Sequence, residues 1–320
     1  MSLEPLLEAD VRRGLSASQR WLPSALLYDD LGSALFEAIT LLPEYALTRT
    51  DLSMLEHHAS AYLSLLPGPV EVVELGPGAG RKAMVLLRAL LAVQPSARFV
   101  GIDVSAAALE GCSRALQTLP GLATEGIEAT YLEGLARVSR TGSSRLVCFL
   151  GSNLSNFDRA EAAAFFRKVR LTLRPGDAML VAVDLEKPAS QVLPAYDDAL
   201  GVTAAFNLNV LVRLQREAFS TLPLDAFEHR ARWNENERRV EMHLEAVKPV
   251  SGSVLGIPVQ LKVGETLWTE SSHRFSVEEL TTWGLKAGFR VARLEVSSAW
   301  AFAQVLYVVE PHTEKGAAQP

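Results

Sequence analysis

The feature that most constrains the fold of this chain is a valine-rich run, residues 70–75, that stops at the glycine-rich segment 76–80. A β-branched run bounded by glycine is typical of a buried parallel strand. An apolar helix pattern over residues 82–93 follows at once. A strand, a glycine turn and a helix in this order predict the first unit of an open α/β sheet, which binds its ligand at the carboxyl ends of the strands.

Strand and helix patterns continue to alternate as far as residue 184. Such alternation implies parallel strands that are joined by helical crossovers. The predicted fold class is therefore α/β, with a Rossmann-like sheet covered by helices on both faces. The further strands are predicted at residues 98–103, 145–150 and 178–184, and the helices between them at residues 105–118 and 159–173.

A second, smaller α+β domain is predicted because the alternation stops after residue 184 and resumes only at Ser276. Ser276 and Glu279 have the spacing of a helix capping box, which marks the first helix of the resumed pattern. The predicted elements of the insertion are helices at 193–200 and 204–214 and strands at 239–247 and 259–263. We expect a cofactor-binding domain from residues 60–187 and 276–320, and a substrate-binding domain from residues 1–59 and 188–275.

The composition is that of a globular protein, with 48% hydrophobic and 21% charged residues. A net charge of −6 and the lack of any lysine or arginine run argue against a nucleic-acid partner. The sequence shows neither a signal-peptide pattern nor an apolar stretch of about 18 residues, so no membrane partner is expected. Cys112 and Cys148 lie in apolar stretches and are expected to be buried, reduced thiols. We expect a cytoplasmic monomer.

The glycine-rich segment and Asp103 together predict a nucleoside-binding site. Glycines let the backbone turn tightly and approach a ligand, and Asp103 ends the next predicted strand, where its carboxylate can accept hydrogen bonds from ribose hydroxyl groups. A dinucleotide-binding dehydrogenase is the main alternative, but that fold prefers a small residue where this chain has Arg81. The spacing of Glu74, the glycines and Asp103 favours a methyltransferase that uses S-adenosylmethionine.

Two other kinds of site have no support in the sequence. The chain contains no P-loop, which removes the usual phosphate cradle of a kinase. Its six histidines include no set with the spacing of metal ligands, so no metal is expected.

Several segments outside the nucleoside site form a distinctive set. They are residues 42–45 (Leu-Pro-Glu-Tyr) with 48–50 (Thr-Arg-Thr), 149–152 (Phe-Leu-Gly-Ser), 195–198 (Ala-Tyr-Asp-Asp), 201–207 (Gly-Val-Thr-Ala-Ala-Phe-Asn) and 227–229 (Phe-Glu-His). The block from Tyr196 to Asn207 is the most specific of them. From about Trp21 to Val309 the chain resembles the histidine Nα-methyltransferases of the ergothioneine pathway.

This resemblance implies an enzyme that transfers methyl groups from S-adenosylmethionine to the α-nitrogen of L-histidine, a small amino-acid substrate. The implied product is the trimethylated betaine hercynine, the precursor in ergothioneine biosynthesis. The resemblance also implies that histidine binds between the two domains, with its amine facing the sulfonium of the cofactor.

The resemblance further implies roles for individual residues. The cofactor positions of the family match Gly76, Lys82, Asp103 and Gly151. Among the substrate positions, those that line the amino-acid pocket match Phe36 and Tyr45, and those that hold the α-carboxylate match Asn156 and Tyr196. The positions that recognise the imidazole match Met242, Glu270 and Ser272. Tyr28 also matches a pocket position and is our candidate for a general base, with water as the alternative, and Asn156 is expected near the reacting amine.

Some of these side chains also have a physical reason of their own. A carboxylate at Glu270 that faces an imidazole N–H would select histidine over aromatic amino acids, because a buried acceptor left unpaired is costly. The amide of Asn156 can donate two hydrogen bonds just beyond a predicted strand. The alternatives are a solvated Glu270, an ordinary loop asparagine at Asn156 and simple core packing at Met242.

The chain departs from the family pattern in two places. The family has an acid that contacts the adenine amine after the third strand region, and the matching stretch 133–136 reads Glu-Gly-Leu-Ala here, with Leu135 at the expected position. Either Glu133 replaces this contact or the backbone alone binds the adenine. The tyrosine pair of the family is here Tyr45 and Ala46, which keeps the first tyrosine.

Three other functions stay open at this point. The same chemistry could act on another amino acid or on a modified histidine, although Met242 and Glu270 argue against an indole substrate. The chain could instead be a catalytically silent binding module, against which Lys82, Asp103 and Asn156 argue together. An NAD-dependent oxidoreductase is the third possibility.

Overall fold

The computed structural model describes residues 3–310 of the chain. In chain order its strands are β1 (Val70–Leu75), β2 (Ala97–Asp103), β3 (Leu122–Glu128), β4 (Ser144–Phe149), β5 (Ala178–Asp184), β6 (Phe227–Asn234), β7 (Arg239–Ala246), β8 (Val250–Val254), β9 (Ile257–Leu261), β10 (Thr266–His273), β11 (Arg290–Ser297) and β12 (Phe302–Val308). Its α-helices are α1 (Pro5–Leu15), α2 (Asp30–Ile39), α3 (Ala46–Leu63), α4 (Arg81–Leu91), α5 (Ala106–Leu116), α6 (Tyr131–Arg137), α7 (Arg159–Thr172), α8 (Ala189–Val192), α9 (Val202–Glu217) and α10 (Val277–Ala287).

The largest sheet among the described residues has the strand order β11-β12-β5-β4-β1-β2-β3. The five strands β5-β4-β1-β2-β3 are each parallel to their neighbours in this order. In contrast, β12 runs antiparallel to both β5 and β11. The order reverses between β1 and β4, which is the place where an open α/β sheet binds its ligand. The predicted Rossmann-like α/β fold is confirmed.

Helices cover both faces of this sheet, which is why β1 and β5 are buried along their whole length. On one face, Val73 and Val181 pack in a single apolar core with Phe166 of α7 and Leu280 of α10. The helices α4 and α5 pack against β1, β2 and β3 with a separate set of buried residues. The predicted capping box of α10 forms, since the side chains of Ser276 and Glu279 bond reciprocally to each other's backbone N–H.

The sequence pattern missed β3 and α6. Every residue of β3 is at least partly exposed, because this strand forms the edge of the sheet beside β2. An edge strand needs no continuous apolar run, and that run is the signal by which the other parallel strands were predicted.

The insertion forms a three-stranded antiparallel sheet, β10-β7-β6, and the hairpin β8-β9. The helix α9 packs against β6 and β7, and α2 packs against α9. The helix predicted at residues 193–200 is wrong, since a 3₁₀ turn, Leu193–Ala195, forms there instead. The carboxylate of Asp198 accepts the N–H groups of Val202 and Thr203 at the start of α9. Asp198 therefore caps the next helix and does not belong to a helix at 193–200.

The chain folds into two compact units. The sheet unit comprises Leu47–Leu185 and Phe275–Pro320, and the insertion unit comprises Met1–Ala46 and Glu186–Arg274. We predicted the first boundary near residue 59, whereas nearly all of α3 groups with the sheet unit. The reason is a pair of buried hydrogen bonds. The carboxylate of Asp51 on α3 accepts the N–H of Gly151 and the side-chain amide of Gln304 on β12. Residues 311–320 of the predicted cofactor domain lie outside the described residues.

Among residues 3–310, no helix combines the length and the apolar character that a membrane span requires.

Candidate active site

The segment that joins β1 to α4 contains glycines at positions where a side chain would clash with its neighbours. Gly76 and Gly80 lie in the left-handed region, with φ of +71° and +74°. A Cβ atom at Gly76 would lie 2.8 Å from Nδ2 of Asn153, and one at Gly80 would lie 2.9 Å from Sγ of Cys112. These positions therefore require glycine, and the end of β1 presents bare backbone to a ligand.

Asp103 ends β2, the neighbour of β1 in the sheet. Its carboxylate accepts the N–H of Ser105 at 3.0 Å. Burial raises the pKa of Asp103, although the N–H groups of Ser105 and Val104 oppose this effect. The phenol of Tyr131 lies beside Gly76, and sequence reasoning did not single it out. Burial raises the pKa of Tyr131, and the nearby carboxylate of Asp103 raises it further.

Glu74 lies on β1 just before the glycine-rich segment, and it is 1% exposed. Neither of its carboxyl oxygens has a hydrogen-bond partner among the described residues. Burial raises the pKa of Glu74 to about 8, against the charge of Lys82. Lys82 extends past Gly151, since a Cβ atom at that glycine would lie 3.1 Å from its Nζ.

Asp51 of α3 belongs to the same region, and sequence reasoning missed it. Its carboxylate accepts the N–H of Gly151 and the amide of Gln304, each at 2.7 Å. Burial raises the pKa of Asp51, and Lys82 opposes that rise most strongly. The available signal was an acid on a buried helix face, directly after the motif at residues 48–50.

Asn156 ends a short 3₁₀ helix, Asn153–Asn156, which follows β4. The preceding turn contains two left-handed residues, Gly151 with φ of +73° and Ser152 with φ of +63°. The hydroxyl of Ser152 accepts the N–H of Asp184 and so fixes this turn against β5. The side chain of Asn156 is exposed, on the same segment as Gly151.

The stretch that we expected to contact adenine lies elsewhere than predicted. The third strand ends at Glu128, and residues 133–136 lie inside α6. Leu135 is a core residue of the sheet unit, and the carboxylate of exposed Glu133 accepts the hydroxyl of Thr130 at 2.7 Å. The two alternatives for the adenine contact, Glu133 or the backbone alone, stay predictions.

Aromatic rings of the insertion unit form a continuous cluster. Tyr28 packs edge-on against Phe36 and Phe206, with ring centroids 5.7 Å and 5.5 Å away. Phe36 meets Tyr45 at 6.1 Å, and Tyr45 in turn meets Tyr196 at 6.5 Å. The structure thus brings together four predicted substrate residues, and it adds Phe206 of α9.

Tyr196 is joined to the end of β10 by hydrogen bonds. Its hydroxyl lies 2.7 Å from Oγ of Ser272 and accepts a hydrogen bond from the guanidinium of Arg274 at 3.1 Å. Arg274 is fully buried and also donates to Ser272. Sequence reasoning missed Arg274, which gives this polar corner a positive charge suited to a carboxylate.

Glu270 faces the aromatic cluster from β10, and the hydroxyl of Tyr28 donates to its carboxylate at 3.4 Å. Burial raises the pKa of Glu270 to about 7, although this hydrogen bond opposes the rise. A β-bulge between Trp268 and Glu270 shifts the register, so that Glu270 lies opposite Met242 of β7. A bulge re-aims the residue that follows it, and here it sets the direction of the acid.

The sheet unit has the groups that the predicted cofactor needs. Asp103 suits ribose hydroxyls, Lys82 suits a carboxylate, and the buried oxygens of Glu74 lack any partner within residues 3–310 and suit a cationic group. A Cβ atom at Gly76 would lie 2.8 Å from Nδ2 of Asn153, and one at Gly151 would press on Nζ of Lys82 at 3.1 Å. These residues therefore fit S-adenosylmethionine, a nucleoside that is linked to an amino acid.

Comparisons with known proteins identify the family of the chain. The family model of histidine-specific, S-adenosylmethionine-dependent methyltransferases matches residues 7–309. Histidine N-alpha-methyltransferase of Mycolicibacterium smegmatis is 40% identical over 287 residues, which cover 89% of each chain. Ergothioneine biosynthesis protein 1 of Neurospora crassa is 34% identical over 195 residues, 60% of this chain but 22% of that protein.

A solved structure resembles the chain in fold alone. The PH0226 protein of Pyrococcus horikoshii OT3 is 13% identical, with a TM-score of 0.50 over 88% of this chain and 100% of its own. Because the family model spans nearly the whole sequence, the chain belongs to the family of histidine-specific, S-adenosylmethionine-dependent methyltransferases.

Proposed function

We propose that this enzyme methylates the α-amino group of L-histidine, and that it adds three methyl groups to give hercynine for ergothioneine biosynthesis. Membership of the family supports the cofactor and the amino acid. The observation that carries the choice of histidine is Glu270, a partly buried carboxyl among aromatic rings whose pKa burial raises to about 7. Such a group suits an imidazole, because a phenyl ring offers it no N–H, and an indole N–H brings no positive charge as a protonated imidazole does.

The sheet unit would hold the cofactor through Gly76, Lys82, Asp103 and Gly151. When bound, S-adenosylmethionine supplies a methyl group made electrophilic by its positive sulfur. Asp103 would orient the ribose, and Lys82 with Glu74 would bind the amino-acid part. Asp51 supports this role of Lys82, because it accepts the N–H of Gly151 beside the ammonium.

The insertion unit would hold the histidine. Glu270, Met242 and Ser272 would face the imidazole, while Tyr196 and the rings of Phe36 and Tyr45 would line the rest of the pocket. Arg274 strengthens the assignment of Tyr196 to the substrate carboxylate, since its guanidinium donates to the phenol. Asn156 stays a proposed substrate residue, because its side-chain amide can donate two hydrogen bonds.

The chain must present the amine without its extra proton, because an ammonium has no lone pair with which to attack. Peptide α-amines titrate near 8, and the amine of a free amino acid titrates higher, so most of it is protonated at physiological pH. The positive sulfur of the bound cofactor would lower the pKa of the amine. Tyr28 stays our candidate for the group that takes the proton. Its hydroxyl already donates to Glu270, which gives the phenol a neighbouring acceptor for its own proton. Positioning supplies most of the remaining catalysis.

Replacement of Glu270 tests the choice of substrate. Glu270→Ala should lower kcat/KM for histidine by roughly 10- to 100-fold, because an imidazole N–H then loses its buried acceptor. The control is Glu228→Ala, which removes an exposed carboxyl from β6 of the same small sheet. Initial rates with histidine, phenylalanine and tryptophan would measure the change. Unchanged preference for histidine in Glu270→Ala would contradict the assignment of Glu270.

We further propose that the enzyme acts as a monomer on the free amino acid in a reducing compartment. The negative net charge argues against a nucleic-acid substrate. Both cysteines are buried free thiols, as suits a reducing environment. Light scattering coupled to size-exclusion chromatography measures the oligomeric state, and a stable dimer would contradict this part of the proposal.

A further inference from the structure

A group of buried polar side chains lies behind the predicted substrate residues of the insertion unit. Asn207 of α9 is fully buried, and its Oδ1 accepts the hydroxyl of Thr269 at 2.7 Å. Its Nδ2 lies 2.9 Å from Nδ1 of His229 and 3.0 Å from the carbonyl oxygen of His243. Nε2 of His229 lies 2.8 Å from the carbonyl oxygen of Tyr196. We call Asn207, Thr269 and His229 the Asn207 network.

The donors and acceptors of this network have one consistent arrangement. The carbonyl of His243 can only accept, so the amide atom of Asn207 that faces it must be the nitrogen. The same nitrogen faces Nδ1 of His229, which must therefore accept. The ring proton of neutral His229 then lies on Nε2 and is donated to the carbonyl of Tyr196. Burial lowers the pKa of His229 and thereby favours this neutral form.

One end of the network holds the bulge that aims Glu270. Thr269 is the bulged residue between Trp268 and Glu270. Its hydroxyl meets Asn207 and also lies 3.0 Å from the carbonyl oxygen of Met242. A bulge removes regular ladder bonds, so a side-chain bond at this residue determines how firmly the bulge is held.

The other end of the network holds Tyr196. The bond from His229 fixes the backbone of Tyr196, and the hydroxyl of the same tyrosine meets Ser272 at 2.7 Å. Tyr196 and Glu270 are the residues that we assign to opposite ends of the substrate, its carboxylate and its imidazole. The side-chain amide of Asn207 is thus hydrogen bonded to Thr269, which precedes Glu270, and to His229, which holds the backbone of Tyr196.

We propose that Asn207 is a positioning residue for substrate selection, which sets Glu270 and Tyr196 at a fixed separation through Thr269 and His229. The inference rests on the proposed function, because it takes histidine as the molecule that spans these two side chains. Loss of either bond of Asn207 should loosen both contacts to histidine, while the groups of the sheet unit that would hold the cofactor stay as they are.

Isosteric substitutions on β10 give a matched test. Thr269→Val keeps the shape of the side chain but removes the hydroxyl from Asn207, and Thr269→Ser restores it. Thr266→Val is the control, since it makes the same change on the same strand at a hydroxyl that meets His243 outside the bulge. Asn207→Ala removes the side-chain amide that joins the two ends of the network. The double variant with Thr269→Val measures the coupling between the two residues.

The dissociation constants of histidine and of S-adenosylhomocysteine would be measured by calorimetry, the former with the latter bound. Thr269→Val and Asn207→Ala should weaken histidine binding by roughly tenfold, and their effects should be less than additive. Thr269→Ser and Thr266→Val should bind histidine within about twofold of the wild type, and S-adenosylhomocysteine should bind all variants alike. Circular dichroism confirms folding, and Thr269→Val is the informative variant if Asn207→Ala does not fold.

Three outcomes would overturn the inference, and the design distinguishes them. If the wild type binds histidine and Thr269→Val binds it equally well, Asn207 has no positioning role and the inference is overturned. An equal loss of histidine binding in Thr266→Val overturns it too, since the effect would then be general to the strand. If the wild type binds S-adenosylhomocysteine but no histidine, the proposed function itself fails and the inference falls with it.

Discussion

Gly76 is the residue at which one added methyl group should matter most for the cofactor site. Its φ is +71°, and a Cβ atom there would lie 2.8 Å from Asn153. Gly76→Ala should therefore weaken binding of S-adenosylhomocysteine by at least about tenfold, because the loop must shift. Gly68→Ala is the matched control, since Gly68 has φ of +68° but nothing within 4 Å of its Cβ position.

Both alanine variants should lose about 1–2 kcal/mol of stability through the left-handed backbone. Only Gly76→Ala should also lose affinity for S-adenosylhomocysteine, as calorimetry would show. Equal affinity in the two variants would mean that the bare backbone at Gly76 does not serve the cofactor.

Glu74 should make the stability of the protein depend on pH. Its pKa is raised by burial from 4.5 to about 8, so between these values the folded state holds a proton that the unfolded state has released. Stability should therefore fall as the pH rises through this window. Urea unfolding at several pH values would show a shallower fall in Glu74→Gln, while Glu56→Gln, which removes an exposed carboxyl of α3, should keep the wild-type slope. A slope unchanged in Glu74→Gln would contradict the assignment.

The sequence predicted residues of the site best where a motif fixes them to a strand end. Gly76 and Asp103 lie at the carboxyl ends of neighbouring strands as expected. Asp51 and Arg274 were missed, because only the folded chain shows that each is buried beside a predicted site residue. The direction of Glu270 depends on the bulge before it, for which the sequence of β10 gives no clear signal.

At the scale of elements, the start of α9 depends on one carboxylate. Asp198 accepts two N–H groups of the first turn, and although burial alone would raise the pKa of Asp198, the bonds to Thr203 and Val202 hold it below its usual value. Asp198→Ala should lower the free energy of unfolding by about 1–2 kcal/mol, and Asp198→Asn should lose about half as much, because its amide keeps one of the two acceptor oxygens. Urea unfolding at neutral pH measures both. Equal losses would contradict this prediction, since the acceptor oxygen that Asn retains would then contribute nothing.

Elements were predictable where their burial pattern is regular. The buried strands β1 and β5 were predicted with their observed bounds, and α10 with its capping box. The edge strand β3 was missed because it is largely exposed, and the stretch expected to contact adenine lies in α6, beyond the end of that strand. Secondary structure at a sheet edge depends on pairing with a neighbour, which a local pattern does not reveal.

At the scale of the whole molecule, each of the two units carries one part of the predicted chemistry. The sheet unit has the glycine turn, Lys82 and Asp103, and the insertion unit has the aromatic cluster, Glu270 and Tyr196. The helix α3 shows how tertiary contacts redraw a boundary, since Asp51 binds it to Gly151 and Gln304. A domain boundary predicted from the sequence alone could not take these hydrogen bonds into account.

The most direct test of the central claim is to identify the product by mass spectrometry, with fragmentation, after incubation of the purified enzyme with S-adenosylmethionine and L-histidine. We predict the successive appearance of one, two and three methyl groups, all on the α-nitrogen, and little product from tryptophan or tyrosine. Methyl groups on the imidazole, or no product from histidine while S-adenosylhomocysteine still binds, would contradict the account.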